Sequence, residues 1–104
     1  MATVASTLLP VVGLPVSPVI TNIVMTTAGT EYSHTFTQDV QSFTIKTRNG
    51  SNLKFAFVAG QSGTNYISLP GRASYGENSI TVNSVTMYFQ SDQNGDILEV
   101  LEWF

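Results

Sequence analysis

From residue 19 onward, apolar and polar side chains alternate with a period of two, interrupted at intervals by Gly, Asn, Asp and Pro. Such alternation between turn residues predicts β-strands with one buried face. The pattern is strongest over Phe43–Val58, where Phe43, Ile45 and Thr47 share one side and Thr44, Lys46 and Arg48 the other. After the polar stretch Asn49-Gly50-Ser51-Asn52, Leu53, Phe55 and Phe57 alternate with Lys54, Ala56 and Val58. Two such runs about a short Asn-Gly turn predict a half-buried β-hairpin.

The same reading extends along the chain. Val19–Thr27 is a first strand that ends at Ala28-Gly29-Thr30, and Glu31–Thr37 is a second, with Tyr32, His34 and Phe36 on one face. Gln38–Gln41 connects it to the hairpin, and Gly60–Thr64 is a loop. Asn65–Leu69 is a short strand closed by Pro70-Gly71, a pair that predicts a tight turn with positive φ at the Gly. Arg72–Asn78 carries no regular pattern. Ser79–Val82 and Val85–Ser91 follow as strands, Val85, Met87 and Phe89 opposing Thr86, Tyr88 and Gln90. Asp92-Gln93-Asn94-Gly95 then turns the chain into Asp96–Phe104. On that last strand Leu98, Val100 and Phe104 share a face with Glu102, while Ile97, Leu101 and Trp103 share the other with Glu99. Apolar residues on both sides predict a strand covered on both faces, or one covered by its own domain and a partner. Seven or eight short strands at turn spacings of roughly 8–12 residues predict an all-β chain, a single antiparallel β-sandwich of jelly-roll-like or immunoglobulin-like kind, over residues 19–104.

Residues 1–18 read differently. Leu8-Leu9-Pro10-Val11-Val12-Gly13-Leu14-Pro15-Val16-Ser17-Pro18 is apolar, yet its prolines break any helix and interrupt ladder hydrogen bonding. Its apolar runs are short and interrupted, and no basic region precedes them, unlike a signal peptide or a membrane span. An extended Pro-rich N-terminal arm must still hide its apolar side chains. Two placements are open: folded back along its own sandwich, or docked on a neighbouring subunit.

Composition narrows the function classes. A chain of 104 residues has the size of one domain and needs no staple to form a core. It has no Cys, which removes disulfides and thiolate metal sites. Charged residues make up 11%, against about 25% in typical domains, and thirteen Thr and eleven Ser supply the polarity instead. A net charge of −3 with four cations offers no footprint for a phosphate backbone, so no nucleic-acid partner is expected. Lys46, Arg48 and Lys54 fall on the outer face of the hairpin, but three charges make a weak patch that reads as an ordinary solvated strand face. A surface poor in charge suits packing against protein, because desolvating charges at an interface core is costly.

No residue pattern marks a catalytic or metal site. His34 is the single histidine, on the Tyr32/Phe36 face, and reads as a half-buried structural side chain. Asp92-Gln93-Asn94-Gly95-Asp96 resembles the opening of a calcium loop, but Ile97 and Trp103 stand where that loop needs Gly and Glu, so a plain hairpin turn is expected. Glu99 and Glu102, three apart on a strand, project to opposite faces and form no acid/base pair. One of them either faces inward and must find a donor or lies at a subunit contact. Asn49-Gly50-Ser51 matches a glycosylation sequon and is explained by turn chemistry. Tyr66, Tyr75, Tyr88 and Trp103 are read as core or interface anchors ahead of a sugar platform. No enzyme activity, cofactor or metal is expected.

One resemblance sharpens this. Glu31-Tyr32-Ser33-His34, Phe43-Thr44-Ile45-Lys46-Thr47-Arg48, Tyr66-Ile67-Ser68-Leu69-Pro70-Gly71, Tyr88-Phe89-Gln90-Ser91 and Gly95 to Trp103 resemble segments of the short, charge-poor β proteins of tailed-bacteriophage virions. The likeness spans about residues 19–104, rests on strand patterns and carries no site motif. It implies a virion structural component, a head decoration (cement) protein or a minor capsid or tail-attached protein. Such a protein would bind major capsid or other virion subunits and itself, as a homo-oligomer, with no membrane partner. The contacts expected are Leu8, Leu9, Val11, Val12 and Leu14 from the arm, with Trp103 and Phe104 as anchors. The alternative is a carbohydrate-binding or tail-spike-associated β module.

Overall fold

The computed structural model describes residues 18–37, 39–78 and 84–104. The five arm contacts expected at Leu8, Leu9, Val11, Val12 and Leu14, and the strand expected over Ser79–Val82, lie outside the described residues. Among those described there are eight strands: β1 (Pro18–Met25), β2 (Tyr32–Phe36), β3 (Ser42–Thr47), β4 (Leu53–Ala56), β5 (Ile67–Leu69), β6 (Ser74–Glu77), β7 (Val85–Ser91) and β8 (Asp96–Trp103). They form two four-stranded antiparallel sheets, β1-β8-β3-β6 and β2-β7-β4-β5.

The pairing has a simple logic. β1 pairs with β8, β2 with β7, β3 with β6 and β4 with β5, so the chain is a long two-stranded ribbon doubled back between β4 and β5. Successive ribbon segments fall in alternate sheets, and β3·β8 and β4·β7 ladders stitch them side by side. That winding is a jelly roll. Of the two sandwich topologies expected, it excludes the immunoglobulin order.

Between the sheets lies the core. Alternate residues of each strand point inward: Phe43 and Ile45 on β3, Leu53 and Phe55 on β4, Met87 and Phe89 on β7, Leu98 and Val100 on β8. Met25, Phe36 and Val40 complete it. Phe36 and Phe43 stand 4.6 Å apart between ring centres, and Tyr75 packs 5.2 Å from Phe55. Each large side chain so buried contributes about 1.5–3 kcal/mol.

Three local expectations are corrected. The alternation holds from Phe43 to Phe55 and then breaks, because β4 ends at Ala56, which is buried, while Phe57 and Val58 are exposed; moreover β3 and β4 belong to different sheets and do not form a hairpin. The reason is Asp96. Its carboxylate accepts hydrogen bonds from the backbone N–H of Asn49 at 2.9 Å and of Ser51 at 3.0 Å, while Arg48 N–H donates to the Ile97 carbonyl at 2.9 Å. The Asn-Gly turn is thus tied to the start of β8 and becomes a corner between sheets. Arg72–Asn78, without a legible pattern, contains β6. This edge strand sends Tyr75 inward and pairs only with β3, so alternation has little to act on. Gly76 lets it approach, because a Cβ there would stand 2.4 Å from the Phe43 carbonyl oxygen. Finally, positive φ in the Pro70–Ala73 turn falls on Arg72, at 68°, and not on Gly71.

The inward glutamate anticipated on the last strand is Glu102, 4% exposed. Its Oε1 lies 3.2 Å from His34 Nε2, which supplies the donor a buried carboxylate requires. His34 also packs edge-on to Phe36, with ring centres 5.0 Å apart. Asp92 serves its turn in the same structural way, accepting from the Asn52 backbone and side-chain N–H groups at 2.9 Å each.

Candidate interface on the outer face of the β1-β8-β3 sheet

Because β8 sends Leu98, Val100 and Glu102 inward, Ile97, Glu99, Leu101 and Trp103 line the opposite side. Their neighbours are fixed by register. Trp103 lies between Pro18 and Ser42, Leu101 between Ile20 and Thr44, Glu99 between Asn22 and Lys46, and Ile97 beside Val24. The resulting rows are apolar at both ends and ionic in the middle. Ile20 is 72% exposed and Val24 54%, large values for side chains of this kind. A groove of about 340 Å³ runs across the face between Ile20, Thr44, Leu101 and the Glu99 region.

Both cations on this face converge on one acid. Lys46 Nζ lies 3.3 Å from Glu99 Oε1, and Arg48 Nε donates to Glu99 Oε2 at 2.8 Å. The Arg48 hydrogen bond, joined by Lys46, holds the Glu99 carboxyl below its ordinary pKa. Lys54, expected beside them, sits on β4 in the other sheet, with its ammonium 4.9 Å from the Tyr66 ring centre. Arg72 takes its place: Lys46, Arg48, Gly50, Arg72 and Ser74 line a second pocket of about 300 Å³ beside the groove. Sequence reasoning missed Arg72, whose neighbours come from a corner twenty residues earlier in the chain. The one signal was a non-Gly residue directly after Pro-Gly.

Of the expected anchors, Trp103 is half-buried on this outer face, next to Pro18. Phe104 is half-buried too, but packs against the core of its own domain. The four aromatic residues weighed as a sugar platform do not share a surface. Tyr75 packs between Phe43 and Phe55, Tyr66 and Tyr88 belong to the β2-β7-β4-β5 side, and Trp103 lies on the other sheet. A second apolar cluster, Phe57, Val58, Tyr66 and Ile67, is exposed near the β4–β5 turn-back around a pocket of about 290 Å³. Among the described residues no group of three or more His, Asp or Glu is placed to hold a metal ion.

Comparison of the chain with family models, with curated proteins and with solved structures returned no match.

Proposed function

We propose that this chain is a non-enzymatic structural subunit of a bacteriophage virion, a head decoration protein that binds coat subunits and copies of itself. The observation that carries the proposal is the outward row Pro18, Ile20, Leu101 and Trp103 on β1 and β8. Burying apolar area there yields about 25 cal/mol per Å², offset by the cost of association. Contiguous exposed apolar surface on a charge-poor domain marks an interaction site. The jelly roll recurs in viral coat subunits but also in lectins and cupins, so the fold supports the reading without choosing it. A shell presents many identical sites, and modest single contacts then suffice through valency. The apolar N-terminal segment enters β1 at Pro18, beside Trp103, and supplies a second contact in this scheme.

The test is co-sedimentation with virions assembled without the protein. The wild-type chain should pellet with particles, and the double variant Ile20→Lys, Leu101→Lys should remain in the supernatant. Ile20 is exposed, and a Lys at Leu101 can keep its stem on the sheet with its ammonium in water, so the variant's melting temperature should change by only a few degrees. Removing residues 1–17, all of which precede β1, should weaken pelleting while leaving the sandwich folded. Equal pelleting of all three proteins overturns the proposal.

A further inference from the structure

We propose that Lys46, Arg48 and Arg72 form a notch that receives a carboxylate side chain from a protein partner seated in the neighbouring apolar groove. The inference rests on the docking function proposed for this face and names the chemistry of the docked segment.

Three of the chain's four cations line one pocket of about 300 Å³. Among the described residues the ion pairs of these three run to Glu99 alone, so the notch is two positive charges in excess. Arg72 forms none of them, and it is held in place by a built corner. Gly71 N–H donates to Asn52 Oδ1 at 2.8 Å, Ala73 N–H donates to the Pro70 carbonyl at 3.2 Å, and the Arg72 side chain lies across Gly50. Its own backbone sits at φ 68°, a conformation that L residues other than Asn and Asp rarely adopt. A strained non-Gly residue directed into a pocket is a pointer to function.

The size and the surroundings select the ligand. A single oxyanion fits the notch, and guanidinium forks match a carboxylate in bidentate fashion. A polyanion is disfavoured by the chain's net charge of −3. Lys46 and Arg48 line the notch and the apolar groove alike, so an apolar side chain followed by Asp or Glu satisfies both. Residues 1–30 contain no acid, which excludes this chain's own N-terminal segment as the source of that carboxylate. The occupant is therefore another segment, with Asp or Glu next to an apolar residue.

The experiment titrates the isotope-labelled full chain with N-acetyl-Leu-Glu amide, with its Leu-Gln counterpart and with inorganic phosphate, reading the amide resonances of Gly50, Arg72 and Ala73. The Leu-Glu peptide should give saturable shifts, with a dissociation constant on the order of 10 mM, and the Leu-Gln peptide should bind at least about tenfold more weakly. Arg72→Asn should lose the response by a similar factor while melting at the same temperature or higher, because Asn tolerates left-handed backbone. Equal response to both peptides, undiminished binding by Arg72→Asn, or saturable binding of phosphate alone overturns the proposal. Pelleting with virions separates the two ideas. If wild type and Arg72→Asn pellet equally, the notch falls and the docking function stands. If the chain binds the Leu-Glu peptide yet pellets with no particle, the notch stands and the virion role falls.

Discussion

Replacing Asp96 by Ala should lower stability by about 3 kcal/mol and the melting temperature by roughly 12–20 °C. The carboxylate is 2% exposed and accepts three backbone N–H groups: Asn49 at 2.9 Å, Ser51 at 3.0 Å and Ile97 at 2.7 Å. Alanine leaves those donors facing a buried space, at about 1 kcal/mol or more apiece. Burial alone would raise the Asp96 pKa, but hydrogen bonds from Ser51, Asn49 and Ile97 outweigh it and hold the group below its ordinary value of 3.8. A carboxyl whose folded pKa is depressed stabilises the protein above its unfolded pKa, and that contribution disappears as pH falls through the folded value. The wild type should therefore weaken steeply on acidification below about pH 4, and Asp96→Ala should show a shallower acid limb on thermal melts taken across pH. Glu31 works in the same direction, its carboxyl lowered by the Ser62 hydroxyl and the Gly60 N–H. A variant that melts within a few degrees of wild type would remove Asp96 as the keystone of the corner.

Gly71→Ala should cost a comparable amount, about 3 kcal/mol, by a different mechanism. A Cβ at this position would lie 2.0 Å from the Gly50 carbonyl oxygen and 2.9 Å from its carbon. Backbone must move, and the Gly71 N–H bond to Asn52 Oδ1 goes with it. The β5–β6 turn then separates from the β3–β4 corner. Urea unfolding should show the lost stability at unchanged slope, and hydrogen exchange should show faster exchange through β6 before the rest of the sheet. The contrast with Arg72→Asn next door is diagnostic: one residue is required by space, the other tolerated despite its backbone angle.

These positions also mark where sequence reading reaches its limit. The inward and outward sides of β3 and β7 are legible, because side-chain period is a local property, whereas β8 is apolar on both sides and its core face cannot be read from the pattern. That one of Glu99 and Glu102 faces inward or meets a subunit, and that His34 is half-buried, can be read locally, yet nothing local says that Glu102 and His34, 68 residues apart, will meet. The hairpin over Phe43–Val58 fails for a related reason. Asn-Gly chemistry specifies a reversal, whereas the choice between pairing and crossing to the other sheet depends on Asp96, forty-five residues beyond Ser51. β6 is invisible because one inward ring, Tyr75, makes no alternation. The basic notch joins a strand, a corner and a turn, so its cations are adjacent only after the ribbon has been wound.

The ribbon winding also constrains how the protein comes into being. Of the six strand pairings among the described residues, only β4 with β5 joins neighbours in sequence, while β1 must wait for β8, the last of these eight strands to be synthesised. A nascent chain cannot close its sandwich until residue 103 has emerged, and until then the greasy side chains of β1 and β3 stay wet. Slow maturation and a need for chaperone shelter at high expression are the kinetic counterpart of that topology.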